Sequence, residues 1–266
     1  MRTTAIWKVL AGALALALSV SSPAAAAERV KVGIMAGEAE EIWEQVKKVA
    51  ARRGLDIQLV VFNDYVLPNA ALAAGDIDAN AFQHQPYLDN QNRTRGYRIV
   101  AVGKTTVYPI GLYSRRVKSV AELETGATIG IPNDPSNGGR GLLLLAAEKL
   151  ITLRPGVGIT PTVADIVENP RRLRIRELDA AQLPRSLDDL DAAVINTNFA
   201  LLANLNPRRD AIAIESAENN PYGNIIAVRA ADRDKPFVEK LVAAFQSPEV
   251  RAFINERFGG AVIPLF

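Results

Sequence analysis

The sequence of 266 residues contains no cysteine and only one histidine, His84. Without cysteine there is no disulfide framework, no thiolate nucleophile, no cysteine-rich zinc site and no sulfur to carry an acyl chain. The single histidine also excludes a metal site made of several imidazoles. We therefore predict no metal and no cofactor, so any binding chemistry has to come from amide, hydroxyl, guanidinium, carboxylate and aromatic groups.

The sequence also has almost no excess of positive charge, and the two extra basic residues lie at the amino terminus. Lys and Arg number 31 against 29 Asp and Glu. Arg2 and Lys8 precede an apolar run over residues 9–20, and alanines follow at 24–27. This order is typical of a secretory signal peptide, because the run is shorter than the ~20 residues that span a membrane. We predict a signal peptide over residues 1–27 and a near-neutral, freely diffusing periplasmic protein that does not bind nucleic acid.

From residue 28 onward, short β-branched segments alternate with helical patterns, which is typical of parallel sheets covered by helices on both faces. No linker rich in Gly, Pro or Ser bounds the middle of the chain. We therefore predict an α/β protein of two lobes joined by two extended crossings, with a ligand cleft between the lobes. Residues 28–110 and 225–266 are predicted to form lobe 1, and residues 111–224 the inserted lobe 2.

Sequence motifs for catalysis are weak. There is no G-x-S-x-G elbow, and Gly138-Gly139-Arg140 lacks the Lys-Ser/Thr ending of a phosphate loop. The alternative from a different class is an exported hydrolase that uses His84 with the nearby carboxylates Asp76 and Asp78. We predict a binding protein with no catalytic residue and keep the hydrolase as the alternative to test.

Polar and aromatic residues follow several predicted strands at their carboxyl ends. Tyr65 follows the strand predicted over 57–62, and Asn196 follows the strand predicted over 192–195. Because the carboxyl ends of parallel strands meet at one edge of a sheet, such residues are candidates for lining the cleft. The others are Phe82, His84, Tyr87, Arg140, Asn198, Tyr222 and Asn224.

Five segments carry a resemblance to a known family: residues 62–65 (FNDY), 79–88 (ANAFQHQPYL), 131–140 (IPNDPSNGGR), 193–200 (AVINTNFA) and 220–224 (NPYGN). In this order they resemble the methionine-binding lipoprotein family, the substrate-binding components of methionine ABC importers. The resemblance covers nearly all of the mature chain, and its most specific segment ends in Gly-Gly-Arg. It implies a type II-like periplasmic-binding-protein fold.

The resemblance implies a receptor, not an enzyme, that captures L-methionine and delivers it to the permease and ATPase subunits of an ABC transporter. By the same resemblance, Arg140 grips the ligand carboxylate through paired hydrogen bonds. Asn196 and Asn224 orient the ligand's ammonium and carboxylate groups, because asparagine offers both donors and acceptors. The side-chain pocket is then walled by Tyr65, Phe82, His84 and Tyr87. We also predict a monomer.

Two features of the sequence leave alternatives. Members of the family carry a lipid-modified cysteine just after the signal, whereas this sequence has none, and this departure favours a protein that is not tethered to the membrane. The ligand alternatives are D-methionine, a methionine-containing dipeptide or another apolar amino acid, since one methylene changes binding by only ~1–3 kcal/mol.

Overall fold

A computed structural model describes residues 27–266, so the predicted signal peptide lies outside the described residues except for Ala27. None of the helices in this range has both the length and the apolar composition of a membrane span. The strands, in chain order, are β1 (Glu28–Met35), β2 (Leu55–Phe62), β3 (Ala79–Asn80), β4 (Ile99–Lys104), β5 (Thr106–Val107), β6 (Gly111–Tyr113), β7 (Thr128–Pro132), β8 (Thr152–Leu153), β9 (Ile166–Glu168), β10 (Arg174–Leu178), β11 (Ala192–Ile195), β12 (Ala211–Ile214), β13 (Ile225–Arg229) and β14 (Ile263–Pro264). The helices are α1 (Glu38–Ala51), α2 (Leu67–Ala74), α3 (Gln85–Arg95), α4 (Pro135–Ala147), α5 (Leu183–Ser186), α6 (Thr197–Leu202), α7 (Pro207–Asp210), α8 (Pro236–Phe245) and α9 (Pro248–Phe258).

Local sequence sets the ends of the helices that border the cleft. The His84 side chain accepts a hydrogen bond from the Tyr87 backbone and so caps α3, and Asp134 caps α4 in the same way through the Asn137 backbone. Both helices have proline in the first turn, where no backbone donor is needed. Helix α3 ends at Gly96, whose φ of 71° lies in the left-handed region that favours glycine.

Two five-stranded sheets form the framework, in the orders β2-β1-β3-β13-β4 and β10-β7-β11-β6-β12. Each is parallel except for one strand, because β13 runs antiparallel to β3 and β4, and β6 runs antiparallel to β11 and β12. The sequence pattern is typical of parallel sheets, and each sheet is in fact mixed, with one antiparallel strand. Each reversed strand is the first main-sheet strand after the chain has passed from one sheet to the other, so it enters its new sheet from the opposite end.

The two passages between the sheets lie side by side and are hydrogen-bonded to each other. Thr105 N donates to the Asn224 carbonyl oxygen at 2.8 Å, and Asn224 N donates to the Thr106 carbonyl oxygen at 2.7 Å. The carboxyl-terminal strand β14 pairs with β5 in the first passage. The strands of the first sheet come from residues 28–104 and 225–229, and those of the second from residues 111–214. The residue bounds of the two lobes stay a prediction.

Apolar side chains cover both faces of the first sheet and also fill part of the space between the sheets. Helices α1, α8 and α9 bury Trp43, Leu241 and Ile254 against one face of the first sheet. A separate cluster joins side chains from the two sheets, so the lobes are in contact beside the cleft. It includes Met35, Phe82, Tyr87, Tyr113, Ile195 and Phe199.

Candidate functional site

A cavity that is partly open to solvent lies between the carboxyl ends of strands from the two sheets. The structure brings all seven predicted binding residues to the wall of this cavity, although their roles in binding stay predictions. They are Tyr65, Phe82, His84, Tyr87, Arg140, Asn196 and Asn224. The remaining lining residues are Met35, Glu38, Ala39, Ala81, Gln83, Tyr108, Asn137, Thr197 and Asn198.

Arg140 is held in the first turns of α4 by contacts that use part of its guanidinium group. Its side chain is 3% exposed and forms a salt bridge with Glu215. Nε and Nη2 donate to the Glu215 carboxylate at 2.6 to 3.1 Å, and Nη2 also donates to the Tyr108 carbonyl oxygen at 2.7 Å. The Tyr222 ring lies 4.5 Å from the guanidinium carbon. Since Nε carries one hydrogen and each Nη two, the described residues leave the donors of Nη1 unused.

The contact with Glu215 limits which nitrogen atoms of Arg140 can bind a ligand carboxylate. The Nε and Nη2 edge of the guanidinium is occupied by Glu215, so a ligand carboxylate cannot use that edge. Nη1 is the nitrogen left for it. Glu215 also accepts from the Ile110 backbone and fixes the arginine between α4 and the passage into β6.

Two glycines in front of Arg140 allow its helix to lie close to neighbouring backbone. A Cβ atom at Gly138 would be 2.6 Å from the Pro132 carbonyl oxygen, and one at Gly139 would be 2.8 Å from the Thr160 Cα atom. Backbone atoms cannot move aside as the end of a side chain can. The Gly-Gly pair therefore lets α4 pack against the backbone of Pro132 and Thr160, and this packing places Arg140 at the cavity.

His84 joins the two lobes through an amide network. Its Nδ1 atom accepts from the Tyr87 backbone at 3.2 Å, so Nε2 carries the proton and donates to Asn137 Oδ1 at 3.1 Å. Burial, helped by the positive charge of Arg140, lowers the pKa of His84 to about 3. The ring is therefore neutral at ordinary pH and has both nitrogens in use.

The carboxylates suggested as catalytic partners of His84 are placed differently. Asp78 accepts a hydrogen bond from the Lys31 backbone at 2.8 Å and lies 3.6 Å from Arg229. Neither Asp76 nor Asp78 is among the residues that line the cavity. Within residues 27–266, no group of three His, Asp or Glu side chains is arranged to hold a metal ion.

Asn196 and Asn224 both line the cavity and differ in their hydrogen bonds. Asn196 follows β11, is 6% exposed, and donates its amide hydrogen to Asn137 Oδ1 at 2.8 Å. Its own Oδ1 is buried and has no hydrogen-bond partner in the described part of the chain. Asn224 donates through Nδ2 to the Phe82 carbonyl oxygen at 3.3 Å. Asn196 Oδ1 is therefore a buried acceptor that a ligand donor could satisfy.

Aromatic rings form the apolar part of the wall. The rings of Tyr65 and Phe199 are 4.9 Å apart between centres, and those of Phe82 and Tyr87 are 5.8 Å apart. Burial raises the pKa of Tyr65 well above its usual value, so its hydroxyl keeps its proton. That hydroxyl donates to Asn198 Oδ1 across the cleft at 2.5 Å. The rings therefore line the pocket and also connect the two lobes.

Several residues of the site are not among the sequence predictions, and four of them bear on its chemistry: Glu38, Tyr108, Asn137 and Glu215. Asn137 lies inside a segment that carries the family resemblance, and Glu38 lies just after the first strand, so a stricter search of strand ends would have found both. Tyr108 and Glu215 act through a carbonyl oxygen and a buried salt bridge with Arg140, and no local pattern marks either contact.

Comparisons with known proteins identify relatives of this chain. The family model described as NlpA lipoprotein matches residues 30–266. The D-methionine-binding lipoprotein MetQ of Escherichia coli K12 is 52% identical over 237 residues, which cover 88% of this chain and 87% of the relative. A nutrient binding protein from Burkholderia cenocepacia, solved bound to methionine, is 56% identical with a TM-score of 0.87, covering 89% of this chain and 100% of that one. An ABC transporter periplasmic substrate-binding protein from Coxiella burnetii is 49% identical with a TM-score of 0.85, covering 88% and 99%.

The prediction of a freely diffusing periplasmic protein is wrong. Relatives such as MetQ, lipoprotein 28 of Escherichia coli and outer membrane lipoprotein 3 of Mannheimia haemolytica are named lipoproteins, and lipoproteins are anchored to membranes through a modified cysteine. The prediction relied on the lack of cysteine in the sequence. That lack alone does not decide where a relative of so many lipoproteins is located.

The same comparisons confirm the predicted family and the predicted two-lobed α/β fold. The family model covers nearly the whole described chain, and the similar structures superimpose over about nine-tenths of it. The chain belongs to the NlpA lipoprotein family.

Proposed function

We propose that this protein is the substrate-binding component of an ABC importer and binds L-methionine in the cavity between its lobes. The observation that carries the proposal is a pair of unused groups in one cavity. Nη1 of Arg140 is a cationic donor, and Oδ1 of Asn196 is a buried acceptor, each without a partner within residues 27–266. A free amino acid supplies the matching carboxylate and ammonium.

The ring-lined part of the cavity suits a thioether side chain. Tyr65, Phe82 and Tyr87 present faces and edges of aromatic rings to the same space. Sulfur is polarizable and forms few hydrogen bonds, and each contact with a ring contributes ~0.3–1.5 kcal/mol. The methionine in the Burkholderia cenocepacia protein and the D-methionine in the name of MetQ support this ligand class.

Delivery depends on closure of the two lobes around the ligand. Arg140 and Asn196 follow strands of the second sheet, whereas Tyr65, Phe82 and Tyr87 follow strands of the first. A ligand that touches both sets stabilises the closed form, and the paired passages between the sheets act as the hinge. We propose that the closed monomer docks on a permease and its ATPase. Analytical ultracentrifugation at increasing protein concentration tests this oligomeric state, and the mass should stay that of a monomer.

Calorimetric titration of Arg140→Lys with L-methionine tests the carboxylate site. Lysine keeps a cation beside Glu215 but cannot hold both Glu215 and the ligand, as the guanidinium can. Loss of a charge-assisted hydrogen bond of ~1.5–3 kcal/mol predicts a Kd that is ~10- to 150-fold higher. The control Arg176→Ala removes an exposed arginine of the same lobe and should leave Kd unchanged. Unchanged affinity of folded Arg140→Lys would contradict the proposal.

A ligand panel separates the related possibilities. Thermal shifts are measured with L-methionine, D-methionine, methionine-containing dipeptides, leucine and phenylalanine, and L-methionine is expected to give the largest shift. A larger shift with another compound would reassign the ligand and leave the fold and the cleft as they are.

We also propose binding without turnover. His84 is neutral and has both ring nitrogens bonded, so it is not poised to take a proton from a nucleophile. Incubation with methionyl dipeptides and methionine esters, followed by mass spectrometry, should give no product. Product formation that disappears in His84→Ala would overturn this part of the proposal.

A further inference from the structure

Glu38 is a buried carboxyl group in the cavity wall for which the proposed function has so far given no role. It is the first residue of α1 and follows β1 at the carboxyl edge of the first sheet. The residue is 6% exposed, and its Oε2 atom is buried without a hydrogen-bond partner among the described residues. No salt bridge found within residues 27–266 includes it. A buried acceptor left in this state costs free energy unless a donor arrives.

The surroundings of Glu38 do not neutralise a negative charge. Two cations line pockets together with Glu38 but form no salt bridge with it, because Arg140 pairs with Glu215 and Arg257 pairs with Glu41. Desolvation, together with the charges of Glu41 and Glu40, raises the pKa of Glu38 to about 8. The titratable and charged groups around it are Glu40, Glu41, Tyr65, Tyr108, Arg140 and Arg257.

We propose that Glu38 is a further ligand-binding residue, which accepts a hydrogen bond from the ammonium group of the bound amino acid and loses its own proton to solvent as the ligand binds. The inference rests on the proposed function, because it requires a ligand that carries an ammonium group. Together with Asn196 Oδ1, Glu38 Oε2 gives the cavity a second buried acceptor. The ligand keeps its ammonium protons, and the carboxyl proton is the one released.

Coupled proton release makes the affinity depend on pH. Below about pH 8 the empty site holds the proton, so binding must expel it, and Kd should fall ~10-fold for each pH unit up to that point. At pH 7, with a pKa of about 8, about nine-tenths of a proton leaves for each ligand bound. His84 is neutral already and the raised pKa values keep the protons on Tyr65 and Tyr108, so none of these groups releases a proton at this pH.

The test is calorimetry with L-methionine at pH 7 in phosphate and in Tris, two buffers with different ionisation enthalpies. The protein is first freed of ligand by unfolding, dialysis and refolding. We expect wild type to release close to one proton and Glu38→Gln to release none. Glu44→Gln, an exposed carboxylate on the same helix, should behave as wild type. Glu38→Ala is the second variant if glutamine prevents folding, and it too should release none.

The outcomes separate this inference from the proposed function. Wild type that binds methionine without releasing a proton, or a Glu38 variant that releases as many protons as wild type, overturns the role of Glu38 alone. Absence of methionine binding to wild type overturns the proposed function and this inference with it. A Kd of Glu38→Gln that is independent of pH between about 6 and 8, beside a steep wild-type profile, confirms the role.

Discussion

A buried protonated carboxyl should make the stability of the ligand-free protein fall as pH rises. Desolvation raises the pKa of Glu38 from 4.5 to about 8, so between these values the folded protein holds a proton that the unfolded chain has released. The free energy of unfolding then falls by about 1.4 kcal/mol per pH unit. Its full value is present below pH 4.5, and the loss is complete once pH has risen through about 8.

The size of this effect is large compared with the stability of a domain. Across the whole window the loss is on the order of 5 kcal/mol, against a typical unfolding free energy of ~5–15 kcal/mol. Glu38→Gln keeps the shape of the protonated acid and cannot ionise. Relative to wild type, the variant should therefore gain stability as pH rises, by about 3 kcal/mol between about pH 5.5 and 8.5, with the gain levelling off above about pH 8.

Urea unfolding followed by circular dichroism at a series of pH values measures the difference. The slope of free energy against urea concentration should stay the same, so that the shift in midpoint reports stability. Glu44→Gln again serves as the control, because it removes an exposed carboxylate from the same helix. If the wild-type and Glu38→Gln stabilities run parallel over this pH range, Glu38 does not hold a proton in the folded protein and the argument fails.

Two further predictions concern the backbone at α4 and the contact across the cleft. Gly139→Ala places Cβ 2.8 Å from the Thr160 Cα atom, which should cost ~1–3 kcal/mol in urea unfolding, whereas Gly141→Ala meets only side chains at 3.5 Å and should be neutral or stabilising. Equal stabilities for the two variants would contradict the close approach. Tyr65→Phe removes the donor to Asn198 and should raise the Kd for methionine ~3- to 10-fold in calorimetry, with the partly buried Tyr97→Phe as the control. No change in Kd would show that this hydrogen bond does not contribute to closure.

Much of the fold is accessible from the sequence because its signals are local. The strand predicted over 192–195 coincides with β11, and the strand predicted over 57–62 lies within β2. Short β-branched runs are enough to predict these two strands. The reversal of β6 and β13 is not local, since it depends on which sheet the chain has just left.

Some residues of the candidate site are likewise marked by local sequence, and others are not. Arg140 and Asn196 follow strands, and this position marks them in the sequence. The partner that orients Arg140 is Glu215, which lies 75 residues further along the chain and reaches it only through the second sheet. Glu38 follows a strand as well, but it is a candidate because its carboxyl group is buried without a hydrogen-bond partner. A single sequence does not show whether a carboxyl group is buried.

The unpartnered acceptors link recognition to closure. Asn196 Oδ1 lies on the second lobe and Glu38 on the first, and both line the cavity between the lobes. When the cleft closes without a ligand, these atoms lose their hydrogen bonds to water and gain no others, at a cost of ~1–3 kcal/mol for each. If these residues bind the ligand as proposed, its ammonium group returns the missing hydrogen bonds only in the closed form, and this differential affinity favours closure by ~2–6 kcal/mol before the cost of expelling the Glu38 proton is subtracted. An internal network that satisfied both acceptors would close the protein in the absence of ligand, so on this proposal the unused atoms make closure depend on the ligand.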